Sequence, residues 1–236
     1  MTALLPHLNK KSHEKWHQKF KDCDKEEYEK VIKGETEPTE GELTMGEVIR
    51  DLNDLTNGDA IIVTDVGQHQ MIACRYAHFN KTKSNITSGG LGTMGFCLPA
   101  AIGAKMGAPD RDVIAVIGDG GFQMTVQELG VILQTGVNVK ILILNNEFLG
   151  MVRQWQQLFF DKRYASTEMI NPDFQLLAQA YGIKTQRVSE RDELGTALKN
   201  MMEHDGSFLL EVMVGKENNV FPMVPSGAGV ADIRLE

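Results

Sequence analysis

The sequence has few cysteines, no excess of basic residues and no long apolar run. Its 236 residues include three cysteines, Cys23, Cys74 and Cys97, and no two of them form a Cys-x-x-Cys pair. The odd number and the spacing exclude a disulfide scaffold and a zinc knuckle, and they predict reduced thiols. Lys and Arg total 24 against 32 Asp and Glu. The resulting net charge of −8 argues against a nucleic-acid partner.

Signals for membrane insertion and export are missing as well. No stretch of 18 apolar residues is present, so we expect no membrane-spanning helix. Residues 1–11 lack the apolar segment and the small-residue cleavage site of a secretion signal, and we therefore expect a cytoplasmic protein. A composition of 42% hydrophobic and 24% charged residues is typical of a globular chain. The length suits one large domain, or one domain with an arm.

Charged residues are concentrated at the start of the chain. The first 41 residues hold 8 Lys and 9 Asp or Glu. We predict a charged arm or linker over 1–41, a folded domain over 42–225 and a C-terminal tail over 226–236. His13-Glu14-x-x-His17 in the arm matches a zinc-protease pattern, but the pattern is short and no third ligand is evident. An exposed helical turn is the better interpretation.

Short apolar segments alternate with helical segments from about residue 42 onward. The apolar segments do not alternate with polar residues, which is typical of strands buried on both faces. They predict a parallel sheet of about six strands in a three-layer α/β/α fold. The predicted strands are 60–64, 85–87, 112–117, 139–144, 183–188 and 208–214. Predicted helices begin at the Thr44-x-x-Glu47 capping box, at Phe96, at the Thr125-x-x-Glu128 capping box, at Asn171-Pro172 and at Asp192.

Polar and glycine residues follow two consecutive predicted strands. Gly118-Asp119-Gly120-Gly121 ends one strand, and Asn145-Asn146 ends the next. If these strands are neighbours in the sheet, Asp119 and Asn146 lie at the same edge, where parallel sheets bind ligands. Carboxylate and amide oxygens suit Mg²⁺, and glycines let backbone N–H groups approach a phosphate. We predict a Mg²⁺–diphosphate site, in preference to an ordinary Asp-Gly turn and an Asn helix cap.

A second glycine-rich segment matches another pattern. Gly90-x-Gly92-x-x-Gly95 has the spacing of the dinucleotide-binding fingerprint. The predicted strand before it is only three residues long, and the acidic residue that follows at a suitable distance, Asp119, lies in a glycine turn of its own. A nicotinamide site is therefore the weaker hypothesis.

Gly118-Asp119-Gly120 and Asn145-Asn146 together resemble the signature of the thiamine diphosphate enzymes, which carry Gly-Asp-Gly and, after about 26 residues, Asn-Asn. Residues 65–69, 87–95, 98–103 and 145–155 resemble, more specifically, the catalytic subunits of acetolactate synthase. The resemblance covers about residues 42–225. It implies that this chain corresponds to the C-terminal, diphosphate-binding domain of three. The other two domains bind the aminopyrimidine ring of the cofactor and FAD.

The resemblance also implies roles for individual residues. Mg²⁺ is expected on Asp119, Asn146 and the backbone carbonyl of Phe148. Met94 is expected to support the bent cofactor, and the Gly92 carbonyl to meet its 4′-amino group. The residues expected around the diphosphate are Gly67, Gln68, His69, Gly118, Gly120, Gly121, Gly150 and Met151. Val152 and Trp155 are expected in the substrate pocket, with simple core packing as the alternative.

The implied activity decarboxylates pyruvate and joins the two-carbon unit to a second 2-oxo acid, in branched-chain amino acid biosynthesis. The activating Glu of the family comes from the aminopyrimidine domain of a second catalytic subunit. No segment here resembles that domain, so we assign no catalytic residue and expect this chain alone to be inactive. Expected partners are that domain, further copies in a homo-oligomer, and a small regulatory subunit. The alternatives are another thiamine diphosphate decarboxylase or carboligase, such as glyoxylate carboligase, and a non-catalytic cofactor-binding module.

Overall fold

A computed structural model describes residues 2–8 and 11–236. The chain divides into two compact units, one formed by Met1–Gly34 with Phe221–Glu236 and the other by Glu35–Val220. The limits expected from the sequence for the arm, the domain and the tail remain predictions.

The first unit consists mainly of exposed helix. A 3₁₀ helix spans Thr2–His7, α1 spans Glu14–Glu27, and a π-helical turn covers Tyr28–Ile32. Helix α1 buries none of its residues. His13 precedes α1 and His17 lies in its first turn, both exposed. Within the described ranges, no group of three or more His, Cys, Asp or Glu side chains is arranged to hold a metal ion. A short 3₁₀ helix, Val230–Asp232, lies near the C-terminus.

The second unit is built on a six-stranded, all-parallel sheet. Its order is β2-β1-β3-β4-β6-β5, and every neighbouring pair is parallel. This confirms the predicted fold class. The strands are β1 Ile61–Thr64, β2 Asn85–Thr87, β3 Val113–Gly118, β4 Lys140–Asn145, β5 Lys184–Val188 and β6 Phe208–Met213.

Helices connect the strands. Those bounded in the structure are α2 Lys33–Thr36, α3 Met45–Thr56, α4 Gln68–Tyr76, α5 Cys97–Gly107, α6 Asp119–Met124, α7 Leu129–Thr135, α8 Gly150–Phe159, α9 Phe174–Ala180 and α10 Arg191–Glu203. The predicted capping box opens α3, because the Thr44 hydroxyl accepts from the Glu47 N–H at 3.2 Å and the Glu47 carboxylate accepts from the Thr44 N–H at 2.7 Å. Among the described residues, no helix is both long and apolar enough to cross a membrane.

Two hydrophobic cores lie on opposite faces of the sheet. In β3, Ile114 and Val116 belong to one core, whereas Ala115 and Ile117 belong to the other. Helices α3, α4 and α10 contribute to the first core, and helices α5, α7 and α9 to the second. Both faces of the sheet are therefore covered, which explains why its central strands carry apolar residues without alternation.

One predicted helix start is wrong, and another lacks its predicted side-chain cap. A 3₁₀ helix, Val126–Glu128, begins after Thr125 as predicted and leads into α7, but the Thr125 hydroxyl donates to the Gly95 carbonyl at 2.9 Å instead of capping that helix. Helix α6 begins directly after β3, where the sequence predicted a glycine turn. Helix α9 begins at Phe174 rather than at Asn171-Pro172. Its cap is Asp173, which accepts from the N–H groups of the second and third helical residues. In both places a contact distant in sequence uses the polar side chain that the local pattern assigned to a helix terminus.

Candidate functional site

The carboxyl ends of β3 and β4 form the floor of the candidate site. The two strands are neighbours, and Gly118 pairs with Leu144 in their register. Asp119 follows β3, and Asn146 follows β4, so both side chains lie at the same edge of the sheet. This confirms the arrangement on which the prediction of a shared site depended.

A cavity of about 220 Å³ opens at this edge, within the Glu35–Val220 unit. Every residue predicted to bind the metal or the cofactor lines it, namely Gly67, Gln68, His69, Gly92, Met94, Gly118, Asp119, Gly120, Gly121, Asn146, Phe148, Gly150 and Met151. Their binding roles stay predictions, but the structure brings all of them together. Other lining residues, including Met45, Val66 and Leu149, are mainly apolar.

Asp119 is a buried carboxylate without a cationic partner among its hydrogen bonds. It is 1% exposed, and its Oδ2 accepts from Asn171 Nδ2 at 2.8 Å. Burial raises its pKa to about 6, against the opposing effect of the hydrogen bond from Asn171. The group is therefore mainly ionised at pH 7. An ionised, poorly solvated carboxylate is a strong ligand for a divalent cation.

Asn146 and Phe148 lie in a loop held on both sides. Asn146 Oδ1 accepts from the Phe148 N–H at 3.2 Å, and Asn146 Nδ2 donates to Gln68 Oε1 at 3.3 Å. The following N–H, that of Leu149, donates to the carbonyl of Thr167 at 2.7 Å. These contacts hold the predicted metal ligands of the loop in one conformation.

His69 is a neutral, buried base in the cavity wall. Desolvation lowers its pKa to about 4, although the nearby Asp65 opposes the shift, so the imidazole is uncharged at pH 7. Its Nε2 has no hydrogen-bond partner within the described parts of the chain. An unpaired, buried polar atom in a cavity wall suits a ligand that supplies the missing hydrogen bond.

The glycines of the first strand end leave space that a side chain would fill. A Cβ atom at Gly121 would lie 1.9 Å from Asp65 Oδ2, and one at Gly118 would lie 2.8 Å from His69 Nδ1. At Gly120, a Cβ would lie 2.8 Å from Leu149 Cδ2. The absence of side chains therefore lets Asp65, His69 and Leu149 pack directly against this backbone.

The two predicted substrate-pocket residues differ in position. Val152 lines the cavity and is 50% exposed. Trp155 lies further along α8, is 38% exposed, and packs on Phe159 with ring centroids 4.9 Å apart. Neither is buried in the core, which argues against the packing alternative. Their contact with substrate remains a prediction.

Sequence reasoning missed Asn171, which donates to Asp119, and assigned no role to Asp65. Asp65 Oδ1 accepts from the Cys97 N–H at 3.1 Å, while its Oδ2 is buried without a partner in the described structure. The position of Asp65 directly after a predicted strand was the available signal. Asn171 is 52 residues from Asp119, and its sequence context indicated only a helix start.

The residues fit a divalent cation with a diphosphate. The side-chain oxygens of Asp119 and Asn146, which suit a hard cation, line the same cavity as the glycines at 118–121. Helices α4 and α8 begin at this cavity, and the N–H groups of a helix's first turn suit a phosphate. Fold and site together define a parallel α/β domain of the class that binds diphosphate cofactors at its strand ends. Residues 65–212 match the family described as thiamine pyrophosphate enzyme, C-terminal TPP binding domain. The chain belongs to this family.

The chain is also similar to curated acetolactate synthases. It is 47% identical to the acetolactate synthase large subunit of Lactococcus lactis, over 81% of this chain and 33% of that protein. It is 46% identical to the isozyme 2 large subunit of Escherichia coli, over 79% of this chain and 34% of the relative. The mitochondrial catalytic subunit of Saccharomyces cerevisiae is 48% identical, over 78% and 27%. The chain thus spans about a third of the length of these relatives.

Proposed function

We propose that the Glu35–Val220 unit binds Mg²⁺ and thiamine diphosphate as the C-terminal part of an acetolactate synthase. One observation carries this proposal: the cavity at the ends of β3 and β4 is lined by every residue expected to bind the metal and the cofactor. The similarity to acetolactate synthases supports the choice of enzyme within the family.

The site residues divide into metal ligands and cofactor contacts. The side chains of Asp119 and Asn146 and the carbonyl of Phe148 would hold Mg²⁺. The glycine backbone at 118–121 and the first turns of α4 and α8 would receive the diphosphate. Neutral His69 holds a proton on one ring nitrogen and offers a hydrogen bond without adding charge. When bound, thiamine diphosphate supplies the chemistry for decarboxylating a 2-oxo acid and forming a carbon–carbon bond.

The proposed reaction converts pyruvate and a second 2-oxo acid into CO₂ and 2-acetolactate or 2-aceto-2-hydroxybutyrate. Val152 and Trp155, on the exposed side of α8, are the proposed walls of the acceptor pocket. The proposed partners are the aminopyrimidine domain of a second catalytic subunit, which would provide the activating carboxylate, and a small regulatory subunit. FAD would bind elsewhere in the assembled enzyme. We propose that the enzyme is located in the cytoplasm.

Calorimetric titration with thiamine diphosphate, with Mg²⁺ or with EDTA, tests the cofactor assignment. We expect binding to require Mg²⁺ and to weaken by at least about 100-fold in Asp119→Ala, since a charged ligand of the cation is lost. Asp59→Ala is the matched control, because Asp59 is an exposed carboxylate at the opposite, amino end of β1. Equal Mg²⁺-dependent binding by Asp119→Ala and wild type would contradict the assignment.

An activity assay separates an enzyme part from a non-catalytic module. We expect the chain alone to form no acetolactate, and a mixture with an acetolactate synthase aminopyrimidine domain to form it. Acetolactate produced by the chain alone, and lost in Asp119→Ala, would place the activating acid in this chain. Cofactor binding without activity in either mixture would favour the non-catalytic module.

A further inference from the structure

We infer that Glu211 is a positioning residue for the metal-binding loop, acting through Asn145 and Asn171. The loop meant here is residues 145–149, between β4 and α8. The inference rests on the proposed function for its metal, and on the contacts of this chain for everything else.

Glu211 is a buried carboxylate on β6, the strand next to β4. It is 1% exposed. Its Oε2 accepts from Arg187 Nε at 2.8 Å and from Gln175 Nε2 at 3.0 Å, and its Oε1 accepts from Asn145 Nδ2 at 2.8 Å. Both oxygens are therefore engaged by donors. The ion pair with Arg187 compensates the buried charge and holds the carboxylate in place.

The carboxylate determines the orientation of the Asn145 amide. A carboxylate accepts hydrogen bonds and does not donate them, so the NH₂ group of Asn145 must face Glu211. The amide oxygen then faces the loop, where it accepts from the Glu147 N–H at 3.0 Å and from Asn171 Nδ2 at 3.1 Å. In the opposite orientation, the NH₂ group would face two donors and an oxygen would face the carboxylate.

Asn171 extends this effect to the other predicted metal-binding strand end. Its Nδ2 also donates to Asp119 Oδ2, at 2.8 Å, and its Oδ1 accepts from Gln123 Nε2 at 2.8 Å. The hydrogen bonds thus run from Glu211 through Asn145 to the N–H of Glu147, directly after Asn146. Through Asn171 they also reach the carboxylate of Asp119. This one network therefore contacts one proposed side-chain ligand of Mg²⁺, Asp119, directly and holds the backbone next to the other, Asn146.

Glu211→Gln leaves the shape of the side chain unchanged and breaks the network. If the new amide oxygen faces Arg187 and Gln175, its NH₂ group faces the NH₂ group of Asn145. Rotation of Asn145 then turns its NH₂ group toward Glu147 N–H and Asn171 Nδ2. Each of these arrangements places a donor against a donor, so the orientation that the carboxylate imposes on the Asn145 amide is lost.

Glu47 provides a matched control. It is also a buried carboxylate, 2% exposed, and its Oε2 accepts from Arg191 Nε at 2.7 Å. Its Oε1 accepts from Arg191 Nη2 at 3.2 Å, and its remaining contacts are with Thr44, all outside the network that reaches Asp119. Glu47→Gln removes the same charge from an equally buried ion pair, so it reports the loss of stability alone.

Two measurements on the full chain test the inference. In the absence of metal and cofactor, NMR-detected hydrogen exchange at the Glu147 amide should accelerate in Glu211→Gln and not in Glu47→Gln. With thiamine diphosphate present, titrated Mg²⁺ should bind roughly 10–100-fold more weakly to Glu211→Gln. Glu47→Gln should stay near the wild-type affinity. Unchanged exchange at Glu147, or unchanged Mg²⁺ affinity, would overturn the inference.

If Glu211→Gln does not fold, Asn171→Ala tests the same network at its exposed end. Asn171 is only half-buried, and its loss should weaken Mg²⁺ binding by about tenfold. Wild-type affinity in this variant would overturn the inference. A wild-type chain that binds no Mg²⁺ would instead overturn the proposed function, and with it the metal role of Glu211. Hydrogen exchange at the Glu147 amide distinguishes failure of the Glu211 inference from failure of the proposed metal site, because it is measured without metal.

Discussion

The two glycine-rich segments at the sheet edge, Gly89–Gly95 and Gly118–Gly121, use glycine for different physical reasons. In the first, Gly92 has a φ of +62°, and a Cβ atom at Gly90 or Gly92 would meet nothing within 4 Å. In the second, no glycine has such a φ, yet a Cβ at Gly121 would collide with Asp65. Glycine provides backbone freedom in the loop and space at the strand end.

Gly92 is required by the local backbone conformation, whereas the glycines at 118–121 are required by the side chains that pack against them. The atoms that crowd Gly118, Gly120 and Gly121 belong to His69, Leu149 and Asp65. All three neighbours are in or next to the cavity wall. The glycines at 118–121 therefore report where the site is densest, whereas Gly90 and Gly92 have open surroundings and Gly92 reports local turn geometry.

Gly121→Ala should have the largest effect on the stability of the chain. The added methyl group would lie 1.9 Å from Asp65 Oδ2, so the carboxylate must move and lose its hydrogen bond with the Cys97 N–H. We expect the free energy of unfolding to fall by roughly 3 kcal/mol, at the upper end of overpacking effects. Urea unfolding of the full chain measures it.

Gly103→Ala is the control for Gly121→Ala. Gly103 also lies inside a helix, but a Cβ there meets nothing within 4 Å. We expect this substitution to raise the free energy of unfolding by about 0.5–1 kcal/mol, because alanine favours helix. If both variants changed stability in the same direction, crowding would not be the reason for glycine at position 121.

Asp119→Asn should stabilise the metal-free chain at alkaline pH. The folded-state pKa of about 6 lies above the ordinary aspartate value of 3.8, so the ionised carboxylate destabilises the fold above pH 6. This cost fades as the pH falls from about 6 to about 4, and it is absent below pH 4, where both states are protonated. Replacing the carboxyl with an amide should raise the free energy of unfolding by up to about 3 kcal/mol at pH 8 and by little at pH 4.

Urea unfolding at the two pH values, with and without Mg²⁺ and thiamine diphosphate, checks this expectation. At pH 8, Mg²⁺ and thiamine diphosphate should make the wild type more stable than Asp119→Asn, because they bind the folded wild type. Lower stability of metal-free Asp119→Asn at pH 8 would show that the buried carboxylate is compensated by its surroundings, and the crowded strand end would then be a site of ordinary packing.

Gly92→Ala should have a smaller effect, which comes from the backbone. A left-handed φ of +62° costs a non-glycine residue about 1 kcal/mol, and the open space removes any contribution from crowding. Gly90→Ala has the same open surroundings without that φ, and should change stability by less than about 0.5 kcal/mol. Equal effects at positions 90 and 92 would remove the backbone explanation. Thermal unfolding of the two variants side by side measures the difference.

The accuracy of the sequence-based predictions followed the range of the interactions involved. The strands and the cap of α3 depend on neighbouring residues, and they were found close to the predicted positions. The side-chain cap at Thr125 and the start of α9 were mispredicted because the Thr125 hydroxyl bonds to Gly95 and the Asn171 amide bonds to Asp119. A polar residue has the same local appearance whether it caps its own helix or bonds to a distant strand end.

The sequence by itself determined the parallel sheet, since apolar runs without alternation require burial on both faces. It also determined which residues follow the strands, and hence which of them reach the carboxyl edge. Only the tertiary structure decided that β3 lies beside β4, that Asp65 fills the space left by Gly121, and that Glu211 on β6 orients Asn145. Register and side-chain orientation depend on which donors and acceptors meet across strands, and no local pattern contains that information.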